Sequence, residues 1–172
     1  MAWQPKTKIV TPSAIADNLL AFIKLRIGEA LVWAGGSGSS LKELLNVAET
    51  VAIRDKPIYP YIAFSDDNSI SPLENDVNPT GYSVVFEIAT TSNLPAQALA
   101  DARIYERAVK SLIADCPPEV LLENTNALIG RDFLTQFEVG YEEIRKHDTQ
   151  EFYNQTLQIR ATFKLLSAIK EE

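Results

Sequence analysis

The clearest pattern in the chain is an alternation of apolar and polar residues near its end. Positions 156–165 read Thr-Leu-Gln-Ile-Arg-Ala-Thr-Phe-Lys-Leu, so that every second side chain is apolar. Successive side chains of a strand point to opposite faces, and this stretch therefore predicts a strand with one apolar and one polar face. Phe137, Val139 and Tyr141 repeat the pattern upstream, with polar residues 146–150 in between. Together the two stretches predict an antiparallel hairpin with one face in water.

A long apolar helix is predicted near the beginning of the chain. Thr11 and Pro12 suit its first turn, because the hydroxyl accepts a free amide N–H and proline has none to satisfy. The helix continues to about Gly35, and its apolar residues cover close to half of its surface: Ile15, Leu19, Phe22, Ile23, Ile27, Ala30, Leu31 and Trp33. This arc is wider than one core contact requires, so part of it is predicted to meet a second partner. Arg26 falls inside the arc and must reach water or a carboxylate.

The middle of the chain predicts a second helix and a first hairpin. A capping box opened by Ser40 predicts a helix towards Ile53. Residues 58–64 and 82–91 are rich in strand formers and are predicted to pair with each other. Pro60 cannot donate a ladder hydrogen bond, so the first of these strands is expected at an edge or a bulge.

A third helix follows and completes the predicted fold. Ser92 or Asn93 is expected to cap it, Pro95 lies in its first turn, and it runs to about Asp115. The order of elements predicts an α+β fold, in which helices pack on one face of an antiparallel four-stranded sheet made of two hairpins. Residues 1–172 are expected to form a single domain.

An acidic loop, residues 65–81, separates the two strands of the first hairpin. It holds Asp66, Asp67, Glu74 and Asp76 and no Lys, Arg or His. We expect it to be mobile in a free subunit and to become ordered, if at all, against a neighbour; the alternative is a solvated hairpin tip. The candidate interface or lumen residues are these four carboxylates and three cations: Arg26, Arg160 and Lys164.

Composition and charge exclude several functions. With 23 Asp and Glu against 16 Lys and Arg, the net charge is −7, which disfavours wrapping by nucleic acid and binding to anionic lipid. The single cysteine, Cys116, excludes an internal disulfide and fits a reducing compartment, and no apolar run is long enough to span a membrane. The only histidine, His147, has no metal or triad partner at a suitable spacing. We therefore predict no catalytic, cofactor or metal site, and no enzymatic activity.

The layout of elements resembles that of bacteriophage tail terminator, or tail-completion, proteins. The resemblance lies in the long N-terminal helix, the strands at 58–62 and 82–88, the helix at 102–114 and the alternating strand at 156–163. It covers most of the chain and consists of the order of the helices and strands and of their residue patterns.

The resemblance implies a structural virion protein without enzymatic activity or cofactor. Such a protein forms a homohexameric ring that caps the tail tube and joins it to the neck or head-completion proteins. DNA passes through the centre without specific binding. The expected location is the head–tail junction of the virion, after assembly in the host cytoplasm. Two alternatives stay open: another neck component, an adaptor or stopper, and a small α+β ligand-binding or enzyme domain.

Overall fold

The computed structural model describes eight stretches of the chain: residues 12–35, 46–48, 59–64, 69–72, 79–123, 127–128, 134–146 and 151–167. Within them the helices are α1 (Pro12–Gly35), α2 (Pro95–Asp115) and α3 (Pro118–Leu121). The longer strands are β2 (Tyr61–Phe64), β4 (Pro79–Ser92), β6 (Leu134–Tyr141) and β8 (Tyr153–Ser167). The shorter strands are β1 (Asn46–Ala48), β3 (Ser69–Pro72), β5 (Ala127–Leu128) and β7 (Arg145–Lys146).

The four longer strands form the predicted antiparallel sheet in the order β2–β4–β8–β6. β4 and β8 lie at its centre and stay paired from Ser92 opposite Tyr153 to Pro79 opposite Leu166. β2 with β4 is the first hairpin and β6 with β8 the second. The α+β fold with two hairpins is thus confirmed.

Two short strands lie where other structure was predicted. β1 occupies Asn46–Ala48, within the stretch that was expected to be a helix, and pairs in parallel with β2. β3 occupies Ser69–Pro72, within the predicted acidic loop, and pairs with the beginning of β4. The helix prediction is wrong at these three residues because pairing with a distant strand overrides a local capping signal. The four loop carboxylates and His147 lie outside the described residues.

The core lies between the helices and one face of the sheet. That face carries Val84, Phe86 and Ile88 from β4 and the apolar residues of the β8 alternation. The periodicity of α2 places Ala98, Ala102, Tyr105, Val109 and Leu112 on one face; the first four are buried and Leu112 is partly buried. Helices therefore pack on one face, as predicted.

α2 begins and ends close to the predicted residues but has a different cap. Its N-cap is Leu94, which has an extended backbone and no side-chain capping hydrogen bond. Neither Ser92 nor Asn93 takes that position. Pro95 fixes the backbone of the first turn, and this position starts the helix without a polar cap. At the other end, Cys116 and Pro117 separate α2 from α3, which begins at Pro118.

Candidate functional site

The inner side of α1 is fixed against the rest of the fold. Five of its buried apolar residues repeat every four positions: Ile15, Leu19, Ile23, Ile27 and Leu31. Near its N-terminal end, Asn18 Nδ2 donates to the carbonyl oxygens of Leu121 at 2.8 Å and Glu123 at 3.2 Å. These bonds hold the helix beside α3 and satisfy carbonyls at the end of that short helix. α1 thus already has a complete core contact.

Three further apolar residues of α1 lie outside the core and are exposed. Leu25 is 77% exposed, Val32 58% and Trp33 57%. We call these three residues the outer face. The prediction of a second partner was made from the wide arc, but only Trp33 belonged to that arc. Leu25 and Val32 lie beyond it and were missed.

A groove runs between α1 and the C-terminal half of α2, next to the outer face. Its volume is about 600 Å³, and it is lined by Phe22, Arg26, Glu29, Ala30, Trp33, Ser111, Leu112, Asp115 and Pro117. The guanidinium carbon of Arg107 lies 4.5 Å from the centroid of the Trp33 ring. This cation–π contact holds the indole at one end of the groove. The groove is therefore mainly apolar, and its lining also includes the charged residues Arg26, Glu29 and Asp115.

Arg26 reaches both water and a carboxylate. Its Nη1 atom lies 3.2 Å from Glu29 Oε2, and both side chains are largely exposed. An exposed pair of this kind adds little to stability. The pair contributes opposite charges to the lining of the groove, where they are available to a partner.

A second exposed apolar cluster lies at one end of the sheet. Leu94 is 60% exposed and Phe152 44%. Both extend from the strand ends at which Ser92 pairs with Tyr153, so they lie at the same corner. β7 adds two exposed cations beside this corner, because Lys146 also pairs with Tyr153. We call Leu94, Phe152 and β7 the sheet tip.

The three predicted cations do not form one site. Arg160 faces away from the helices, because it alternates with the buried residues of β8, and its Nε atom lies 3.7 Å from Glu138 Oε2. Arg26 lies in the helical layer, on the other side of the sheet. Lys164 is placed in β8 opposite Gly81. The sheet thus separates Arg26 from Arg160.

The face of the sheet away from the helices carries a tyrosine network that sequence reasoning missed. The Tyr61 hydroxyl donates to Glu87 Oε1 at 2.6 Å, and Asn154 Nδ2 donates to the Tyr59 hydroxyl at 3.2 Å. Burial, and then the bond to Glu87, raises the pKa of Tyr61 well above its ordinary value. The sequence Tyr59-Pro60-Tyr61 was the feature that could have indicated this network. The network links side chains at β2, β4 and β8 and thereby stabilises the packing of these three strands.

The described residues provide little for catalysis. Burial raises the pKa of the Cys116 thiol to about 11, so the reactive thiolate is scarce at neutral pH. Within the described ranges, no three His, Cys, Asp or Glu side chains group as metal ligands would. No described helix has the length and apolar composition that crossing a bilayer requires. The arrangement is suited to binding another macromolecule through its apolar surfaces.

Comparison with known proteins yields structural likenesses only. No family model matches the chain, and no curated protein matches it. A solved structure described as the virion of a native gene transfer agent particle contains a similar chain. The match has a TM-score of 0.41 at 16% identity and covers 87% of this chain and 97% of that one. A likeness of this degree carries no inference about function.

Proposed function

We propose that the protein is a structural subunit of a phage-type virion, similar to a tail terminator. In this role it forms a homohexameric ring that caps the tail tube and joins it to the neck or head-completion proteins. DNA passes through the ring, and the assembled protein lies at the head–tail junction. The element order that first suggested the resemblance supports this proposal: a long helix, a hairpin, a helix and a terminal hairpin.

The observation that carries the proposal is the exposed outer face of α1. Leu25, Val32 and Trp33 stay in water although the inner side of the same helix is fully packed. Covering a large apolar side chain contributes about 1.5–3 kcal/mol. Three such residues on one helix therefore provide a substantial driving force for association. A structural subunit that repeats in a ring would use this surface in every copy.

Charge is compatible with the same role. The net charge of −7 repels the phosphate backbone. A ring of such subunits would let DNA pass without retaining it. Specific binding of DNA would instead require a basic surface that exceeds this acidic background.

The outer face can be tested with a double substitution, Leu25→Glu with Val32→Glu. Both side chains are exposed, so the subunit should stay folded by circular dichroism. We expect the unmodified protein to form hexameric rings in native mass spectrometry and electron microscopy, at high protein concentration or on purified tails. The double variant should be monomeric under the same conditions.

The matched control is Lys24→Glu, which changes the charge of an exposed neighbour without removing apolar surface. It should form rings like the unmodified protein. If the unmodified protein is a monomer in solution and absent from the tail end in micrographs, the proposed function is wrong. Rings formed by the double variant would show that the outer face is not the contact.

A further inference from the structure

The groove and the sheet tip lie at opposite ends of α2. Leu112 lines the groove near the C-terminal end of this helix, and Leu94 is its N-cap. At a rise of about 1.5 Å per residue, roughly 27 Å of helix separates them. The tip of a subunit therefore lies far from the Leu112 end of its own groove. A second copy of the chain, in contrast, can present its tip to the groove of the first.

Both places include exposed apolar residues: Trp33 lines the groove, and Leu94 and Phe152 form part of the tip. Among the described residues, the large hydrophobic side chains with high exposure are Leu25, Val32, Trp33, Leu94, Tyr141 and Phe152. Leu25, Val32 and Trp33 belong to α1, and Leu94 and Phe152 belong to the tip. Head-to-tail contacts in a ring need two different surfaces per subunit, and each must match the other. The groove and the sheet tip are two such surfaces.

The groove is large enough to receive a side chain of the tip. The groove, at about 600 Å³, lies within the range of about 300–1,000 Å³ in which clefts bury a substantial ligand. Phe22, Ala30 and Leu112 are packed against the core and form its apolar wall. Phe152 and Leu94 project from a corner of the sheet, and an aromatic residue is a common anchor in such a pocket.

The charges are also complementary. Glu29 and Asp115 line the groove, and the last turn of α2 holds no basic residue to balance its negative helix end. Arg145 and Lys146 are exposed at the tip, where they pair with Asn154 and Tyr153 of β8, and can meet these carboxylates. Glu151, which precedes Phe152, is exposed and carries the charge opposite to that of Arg26.

We propose that the sheet tip of one copy docks into the α1–α2 groove of the next, with Phe152 as the anchor. This inference rests on the proposed function, since it names the contact by which the ring closes. The docked tip also covers Trp33 and thereby extends the contact onto the outer face. The contact is head-to-tail, so every subunit uses both surfaces once.

Two variants that each disable one surface test this contact. The tip variant is Leu94→Asp with Phe152→Ser, and the groove variant is Ala30→Lys, whose long side chain fills the groove. The matched controls are Asn93→Asp beside the tip and Ala114→Lys, an exposed position that does not line the groove. Native mass spectrometry is recorded at the concentration at which the unmodified protein forms rings. Both variants should be monomeric, and both controls should form rings.

The decisive measurement is an equal mixture of the two variants. The intact tip of the groove variant should dock into the intact groove of the tip variant, giving a one-to-one heterodimer that cannot grow further. Formation of this dimer also shows that both variants are folded. Rings formed by the tip variant alone, or a mixture that stays monomeric, would overturn the inference while the proposed function stands. A monomeric unmodified protein that is also absent from tails would overturn the proposed function itself.

Discussion

Gln155 is a buried amide whose replacement tests the packing beneath the sheet tip. Its Nε2 atom donates to the carbonyl oxygens of Glu142 at 2.6 Å and Thr156 at 3.0 Å. Gln155→Glu keeps the shape but places carboxylate oxygens against two carbonyls. The lost hydrogen bonds cost about 1 kcal/mol each. The cost of burying the charge adds to this loss, and we expect the free energy of unfolding to fall by about 3–5 kcal/mol in total at pH 7.

This loss should depend on pH with a definite sign. Burial beside carbonyl oxygens raises the pKa of the introduced carboxyl above its value in the unfolded chain, about 4.3. The folded state therefore binds the proton more tightly, and the charge penalty is absent below about pH 4.3 and grows as pH rises. Urea unfolding at pH 4.5 and pH 7 measures the difference, with the loss clearly smaller at pH 4.5.

Gln155→Met is the matched control, because it removes both hydrogen bonds without adding a charge. We expect it to lose about 2 kcal/mol, equally at both pH values. The reasoning is refuted if the Glu and Met variants lose the same stability at pH 7, or if acidification fails to restore stability to the Glu variant relative to the unmodified protein.

Two further predictions concern α2 and its ends. Leu94→Asp alone places a good capping residue at an extended N-cap and should raise the free energy of unfolding by about 1 kcal/mol in urea; a decrease would contradict this view of the cap. Cys116 has a pKa of about 11 in the folded protein against 9.0 for the free thiol, so the unfolded chain loses its proton first. Stability should therefore fall between about pH 9 and pH 11, by at most about 1.4 kcal/mol per pH unit from this group. Cys116→Ala should flatten the slope, and an equal slope in both proteins would exclude the thiol as its cause.

Elements with a strong local period were predictable from the sequence. The alternation before position 165 specified β8, and the apolar period between 95 and 115 specified α2, because each pattern is complete within the element. β1 and β3 were not predictable in this way. Asn46–Ala48 has no period of its own, and Ser69–Pro72 contains a proline; both are strands because a neighbouring strand pairs with them.

The candidate site was predictable only in outline. The apolar arc of α1 indicated a second contact, and two of its members, Phe22 and Trp33, line the groove in the structure. The groove itself depends on which part of α2 lies beside α1. That choice is made by packing of distant residues and leaves no signal in either helix alone. The same applies to the tip, where strand register brings Leu94 and Phe152 to one corner.

The central position of β8 has a consequence for the time at which a subunit can assemble. β8 pairs with β4 on one side and β6 on the other, although it follows every other described element along the chain. During synthesis α1, β4 and α2 all leave the ribosome before β8, so α1 and α2 can pack against each other first. Under the proposed contact, a nascent chain on the ribosome carries a groove before it carries a tip. It can receive a finished subunit but cannot join one, so ring growth is restricted to chains whose translation has passed β8.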